Sequence, residues 1–360
     1  MIHRLLASSI LLGASALCAT AQTSVLPYQP GITPAGITYF LPKTSVRFVI
    51  KATRTHYTPG QFANYAERYL NVTDAPQMPY DVWSLDDISV VPFGTADTSQ
   101  AYTIALNPKS TAPLVTLTPD GRLLAINTEV AQPGELPTAS VTKEAAATLN
   151  PNDYFTTDML RATSIAKKAE LAAQEIYDLR ENRSLIAKGQ ADFNPTDGTQ
   201  LQLMLTELDK NEHALTMLFT GSSEVEHHTF VLDCTPEKAV NGDILFRFSR
   251  HLGLVDSDDL AGEPYILSIV DETTLPAPVV DPKAKPKEVL DVRYRIPGRA
   301  RISLFTKQQT VFEVALPVAQ FGRTEHLGGE LFVAKKAETH VKLNAVTGNV
   351  EHIESLPIGK

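Results

Sequence analysis

The sequence predicts a β-rich α+β protein, with two strand-rich modules separated by a central helical hairpin. Three observations carry this. Alternating runs such as Val46, Phe48 and Ile50 against Arg47 and Lys51 recur before residue 130 and after residue 289; a period of two belongs to a half-buried strand. Between residues 155 and 221 the apolar period lengthens to that of a helix. Twenty-four prolines among 360 residues favour strands and loops over a helical bundle.

Residues 1–21 read as a secretory signal peptide. His3 and Arg4 precede a mostly apolar run from Leu5 to Leu17, and Ala19-Thr20-Ala21 is a small-x-small cleavage site before Gln22. The run is short for a bilayer span, so export with cleavage before Gln22, to the periplasm or outer envelope, is expected. The alternative is a lipoprotein anchored through Cys18, the one route to membrane association; Leu17 stands where that processing favours Gly, Ala or Ser. Cleavage leaves Cys234 alone, so no internal disulfide is expected and the cores must supply stability. Cys234 closes the apolar run Phe230-Val231-Leu232 and reads as a buried, inert thiol. A composition of 43% hydrophobic and 20% charged residues is that of a globular chain. The net charge of −9, with no basic tract in the mature part, argues by charge against nucleic acid and anionic membrane surfaces as partners.

The N-terminal β-rich module takes residues 22–130. Its first strand contains Tyr39 to Lys51, and a short helix follows Pro59-Gly60, where Phe62, Tyr65, Ala66 and Tyr69 recur at helical spacing. Trp83 to Phe93 and Ala101 to Pro108 read as two further strands. Pro119-Asp120-Gly121 turns a hairpin between two apolar runs. Residues 131–153 form a connection and residues 154–221 the helical hairpin. Its first helix carries Ile165, Ala169, Ala172, Ile176, Leu179 and Ile186 and stops at Gly189; its second is predicted to start at Asn194-Pro195 and stop at Gly221. A mixed strand segment (222–272), a Pro/Lys-rich linker (273–288) and a C-terminal β-rich module (289–360) complete the chain.

The two β-modules share features. Tyr39-Phe40-Leu41-Pro42 opens one and Tyr294-Arg295-Ile296-Pro297 the other, and each closes on a strand–Gly turn–strand unit. Internal duplication and coincidence both account for this, because strand–turn–strand patterns are common in β-rich chains.

Chemistry-bearing constellations are sparse. Glu224, Glu226, His227 and His228, with His213 upstream, are the nearest approach to a metal cluster. Adjacent histidines in a strand point to opposite faces, so the expectation is an exposed polar turn after the helix. No G-x-S-x-G elbow or phosphate loop occurs, and Asp256, Asp258 and Asp259 lack the glutamate that completes a calcium loop. No cofactor is expected. Tyr65, Tyr69 and Tyr80 are candidates for an aromatic platform.

Arg180 and Arg183 stand out beside the apolar stripe of the first helix, and Glu212 continues the stripe of the second. A buried charge needs a partner. If both helices end level at the turn, Arg183 and Glu212 differ in height by more than roughly 10 Å. On that geometry Glu207 is the expected partner of Arg180, and Arg183 has none. Ion pairing and an anion site are the two readings of these four residues.

Tyr39-Phe40-Leu41-Pro42-Lys43-Thr44, Pro59-Gly60, Tyr65 to Leu70, Asp120-Gly121 with Asn127, Ile176 to Arg183, Pro195 to Gly198, Leu218 to Gly221 and Gln320-Phe321-Gly322 occur in order along the chain. Together they resemble an uncharacterised domain-of-unknown-function family of exported proteins from Bacteroidota-type bacteria. The resemblance implies a home in the envelope of a diderm cell and lends no activity, ligand or catalytic residue. The expected function is that of a structural or interaction protein with an envelope protein partner. The alternatives are a hydrolase whose site is assembled from distant residues, and a small-molecule or glycan binder between the β-modules.

Overall fold

A computed structural model describes residues 36–105, 114–144, 149–191, 197–276, 292–332 and 337–357. The signal segment, Asn194-Pro195 and most of the Pro/Lys-rich linker lie outside these. The described residues form three antiparallel sheets and a helical layer, the β-rich α+β class the sequence predicts.

The first sheet has the order β2-β1-β6-β5, from β1 (Gly36–Thr58), β2 (Tyr80–Ala105), β5 (Ser140–Lys143) and β6 (Ser222–Cys234). The two strands expected between residues 83 and 108 are one, β2, whose Pro92 lies on a sheet edge where its missing N–H costs no ladder bond. The second sheet, order β11-β10-β9-β7-β8, comprises β7 (Val240–Ser249), β8 (Gly253–Val255), β9 (Glu263–Asp271), β10 (Val292–Phe305) and β11 (Thr310–Leu327). The third, order β13-β12-β4-β3, joins two hairpins: β3 (Val115–Leu117) with β4 (Leu123–Ile126), and β12 (Ala337–Leu343) with β13 (Val350–Pro357).

Alternation along β1 decides the packing. Val46, Phe48 and Ile50 face the second sheet and meet Phe246, Leu267, Ile269, Ile302 and Leu304, all buried. Nearer its start, Tyr39 and Leu41 join a separate core with Leu123, Ile126, Val341 and Leu343 of the third sheet. At its far end the Tyr57 hydroxyl donates toward the Thr220 carbonyl at 2.8 Å, tying β1 to the helices.

The helices are α1 (Ala66–Leu70), α2 (Thr157–Arg161), α3 (Ile165–Ala187) and α4 (Gly198–Thr220). The expected first long helix is broken: Ala162 is extended, and Ser164 starts α3 by accepting from Lys167 N at 3.2 Å. Helix α4 is described from Gly198, where Asp197 caps Thr199 N at 3.1 Å; the expected start at Asn194-Pro195 lies outside the described residues. Gly221, at φ 75°, ends it as expected; a side chain there would overlap Tyr57 and Thr58. Ala169, Ala172, Ala173 and Ile176 of α3 pack with Leu215, Leu218 and Phe219 of α4 and Phe62 beside α1.

Candidate functional site

The inward face of β1 changes character at Ala52. Val46, Phe48, Ile50 and Ala52 are buried, whereas the next two residues of that face are Arg54 and His56. Register places Arg54 beside Trp83 of β2 and Glu226 of β6, and Glu226 beside Lys143 of β5. One row thus crosses all four strands of the first sheet. Arg54 grips Asp81 through Nε at 3.1 Å and Nη2 at 2.9 Å, and His56 Nδ1 lies 3.1 Å from the same carboxylate. Glu226 meets Lys143 Nζ at 2.7 Å, His228 Nε2 at 3.2 Å and Arg54 Nη1 at 3.5 Å. The Lys143 bond, then that of His228, pulls its carboxyl down to about 2. Trp83 lies tilted against His228, ring centres 4.6 Å apart, and Gly253 packs directly on the Trp83 ring.

The outward face carries a second chain of contacts. Asp86 is an extra residue in a bulge, since Lys51 pairs with Asp87 and Ala52 with Leu85. Thr53 donates to Asp86 at 2.6 Å and lies 2.9 Å from His227 Nδ1, whose Nε2 is 3.1 Å from Glu144 just past β5. A hydroxyl that gives its proton to Asp86 can only accept from His227. The sequence is right that His227 and His228 take opposite faces; the expected exposed turn is instead strand β6. These contacts were missed because they come from four strands, with only the β6 members, Glu226, His227 and His228, visible together in sequence.

The arrangement fastens β5 to β6. Glu226 and Lys143 tie the inner face, His227 and Glu144 the outer, and Glu144 N donates to Val225 O at 3.0 Å. Among the described residues no group of three or more His, Cys, Asp or Glu is placed to hold a metal ion. Other depressions are open; one, about 740 Å³, lies over β12 and β13 beside Thr128 to Ala131 and Pro133. Cys234 packs against the sandwich core, where burial pushes its thiol up. The tyrosines split into two stacks, Tyr65 on Tyr69 and Tyr80 on Tyr57.

The helix residues singled out from sequence are placed differently from the expectation. Arg180 Nε donates to Glu212 at 2.6 Å; Arg183 bonds Asp209 and reaches Glu212 at 3.4 Å. Glu207 instead lies 3.7 Å from Lys210 on its own helix. The helices do not end level. Arg183 opposite Asp209 sets Ala187 opposite Leu205, so about seven residues of α4, roughly 10 Å, run past the end of α3. Leu203, 65% exposed, lies in that overhang. The offset cancels the height difference that sequence geometry assigned to Arg183 and Glu212. Both arginines are occupied by carboxylates.

The motifs behind the family resemblance are mostly joints. The Tyr39 hydroxyl accepts from Arg293 N at 2.7 Å and donates to Arg293 O at 2.9 Å. Gln320 accepts from Thr44 N and donates to Thr44 O, each at 2.9 Å. Asn127, at φ 57°, donates to Thr339 O at 3.0 Å across the hairpins of the third sheet. Gly60 packs directly on the backbone of Leu218, and Phe62 N donates to Leu218 O at 2.7 Å. Behind them, Asp97 and Arg295 form a buried pair at 2.7 Å linking the first and second sheets.

Three antiparallel sheets, a helical layer and motif residues spent on joints define a β-rich α+β protein recognisable by its framework rather than by a reactive centre. A family model described as Domain of unknown function (DUF4831) matches residues 35–351, and the chain belongs to that family. No curated protein and no solved structure matches the chain.

Proposed function

We propose that this protein is exported to the cell envelope of a Bacteroidota-type bacterium and works there as a structural or interaction protein with another envelope protein. The observation that carries this reading is the pair of strand edges at β5 and β13. All four residues of β5 are exposed, as are seven of the eight in β13, including Ile353 and Leu356. Each is bonded on one side only among the described residues. An edge offers a row of N–H and C=O groups to an incoming strand. The apolar N-terminal run before Ala19-Thr20-Ala21 supports export.

Crosslinking in intact cells, followed by purification from the envelope fraction, tests the reading. Recovery of a specific crosslinked partner is expected, and recovery of monomer alone contradicts it. N-terminal sequencing of the same material separates a start at Gln22 from a lipidated Cys18; a cytoplasmic chain starting at Met1 contradicts export.

A further inference from the structure

We propose that β5 is a detachable placeholder on the edge of β6, and that the segment replacing it is an extended strand of a partner protein with a basic residue followed directly by an acidic one. This rests on the interaction reading above and assigns it to one edge.

Four features make β5 separable. It has four residues, all exposed, so its side chains bury little on docking. Residues 131–139, which lead into it, are almost wholly exposed and are tied down by isolated bonds, such as Arg47 Nη1 to Pro137 O at 2.8 Å and Gln132 Nε2 to Leu117 O at 3.0 Å. Of its two side-chain ties, Lys143–Glu226 has one well-exposed member and Glu144–His227, just past the strand, has two, and such exposed contacts hold weakly. The strand beneath it is fixed: Phe230, Leu232 and Cys234 of β6 pack into the sandwich core, and β6 pairs with β1 over thirteen positions. Departure of β5 therefore bares a preformed edge instead of unravelling the sheet.

The bared edge also specifies its occupant. Glu226 stands on the inner face, held as an anion, and His227 on the outer face between Thr53 and the position Glu144 takes. Consecutive residues of a strand alternate faces. A replacement strand that copies β5 sets a cation on the inner face against Glu226, and its next residue is a carboxylate that reaches His227 diagonally on the outer face, past the position Thr142 takes opposite it. Lys143-Glu144 has that order. In the same register, a strand with the order reversed puts a carboxylate against Glu226 and a cation toward His227.

The test uses the full mature chain and a labelled synthetic peptide, T-A-S-V-T-K-E, the sequence of residues 138–144. Saturable binding is expected, and a peptide with its Lys and Glu exchanged should bind at least tenfold more weakly. A Val141→Cys/His228→Cys variant in a Cys234→Ala background locks β5, because these residues face each other in the ladder. Oxidised, it should lose peptide binding; reduced, it should regain it, which controls for misfolding. Absence of peptide binding to the wild type, equal binding of the exchanged peptide, or equal binding to oxidised and reduced variant overturns the inference. Capture of the same envelope partner by both forms of the variant also overturns the assignment to β6, while leaving the interaction reading standing.

Discussion

Arg180 and Glu212 form the central ion pair of the helical hairpin, Nε to Oε1 at 2.6 Å, and Arg183 leans on the same carboxylate at 3.4 Å. One half-buried acid thus serves two exposed bases. Its loss should cost more than the loss of either arginine. Glu212→Gln is expected to destabilise by about 1–2 kcal/mol, a few degrees in melting temperature. Arg183→Ala should move it by less than about two degrees, because an exposed pair is screened. Thermal melts of both variants check the ranking; a larger loss for Arg183→Ala contradicts it.

Tyr39→Phe removes one oxygen and leaves the partly buried N–H and C=O of Arg293 without the partner that served both. About 1–2 kcal/mol of stability should go with it, since two partly buried polar groups lose their hydrogen bonds. Denaturant melts should show a lower midpoint with an unchanged slope.

Gly322→Ala addresses the opening of the β10–β11 hairpin. A Cβ at Gly322 would overlap the Ile296 carbonyl oxygen and stand 2.7 Å from Gly298 N, backbone atoms with little room to yield. The expected loss is about 3 kcal/mol or more. Gly134→Ala, where a Cβ meets nothing within 4 Å, is the control and should melt with the wild type.

Acid should loosen β5. Glu226 titrates at about 2 in the folded protein against an ordinary 4.5, chiefly through its bond to Lys143. A depressed carboxyl stabilises the fold fully above its unfolded value, and that contribution fades as pH falls through the folded one. The melting-temperature gap between wild type and Glu226→Gln should therefore be constant above about pH 5 and close between pH 4.5 and about 2. A gap that persists at pH 2 contradicts this.

Local signals were legible in proportion to how local their causes are. Pro119-Asp120-Gly121 does turn β3 into β4, with Gly121 at φ 85°, because turn chemistry resides in the turn. The helix end at Gly221 was legible for the same reason. The join between Trp83 to Phe93 and Ala101 onward was not: whether Pro92 and Gly94 interrupt a strand depends on whether that strand is an edge, which its neighbours decide. The Arg183–Glu212 contact was misjudged because helix offset is set by packing on Phe62 and Phe219 and leaves no mark in the spacing of charges.

The sequence by itself determined the strand and helix periods, the main turns, the opposite facing of His227 and His228, and the family, since each follows from short-range geometry or from residues in fixed order. Tertiary structure alone decided that β1 serves two cores and that Asp97 meets Arg295 some two hundred residues away. It also decided that the polar residues of four strands converge where β5 is fastened to β6. These depend on which edges pair and how far packed elements slide, choices settled by burial across the whole molecule.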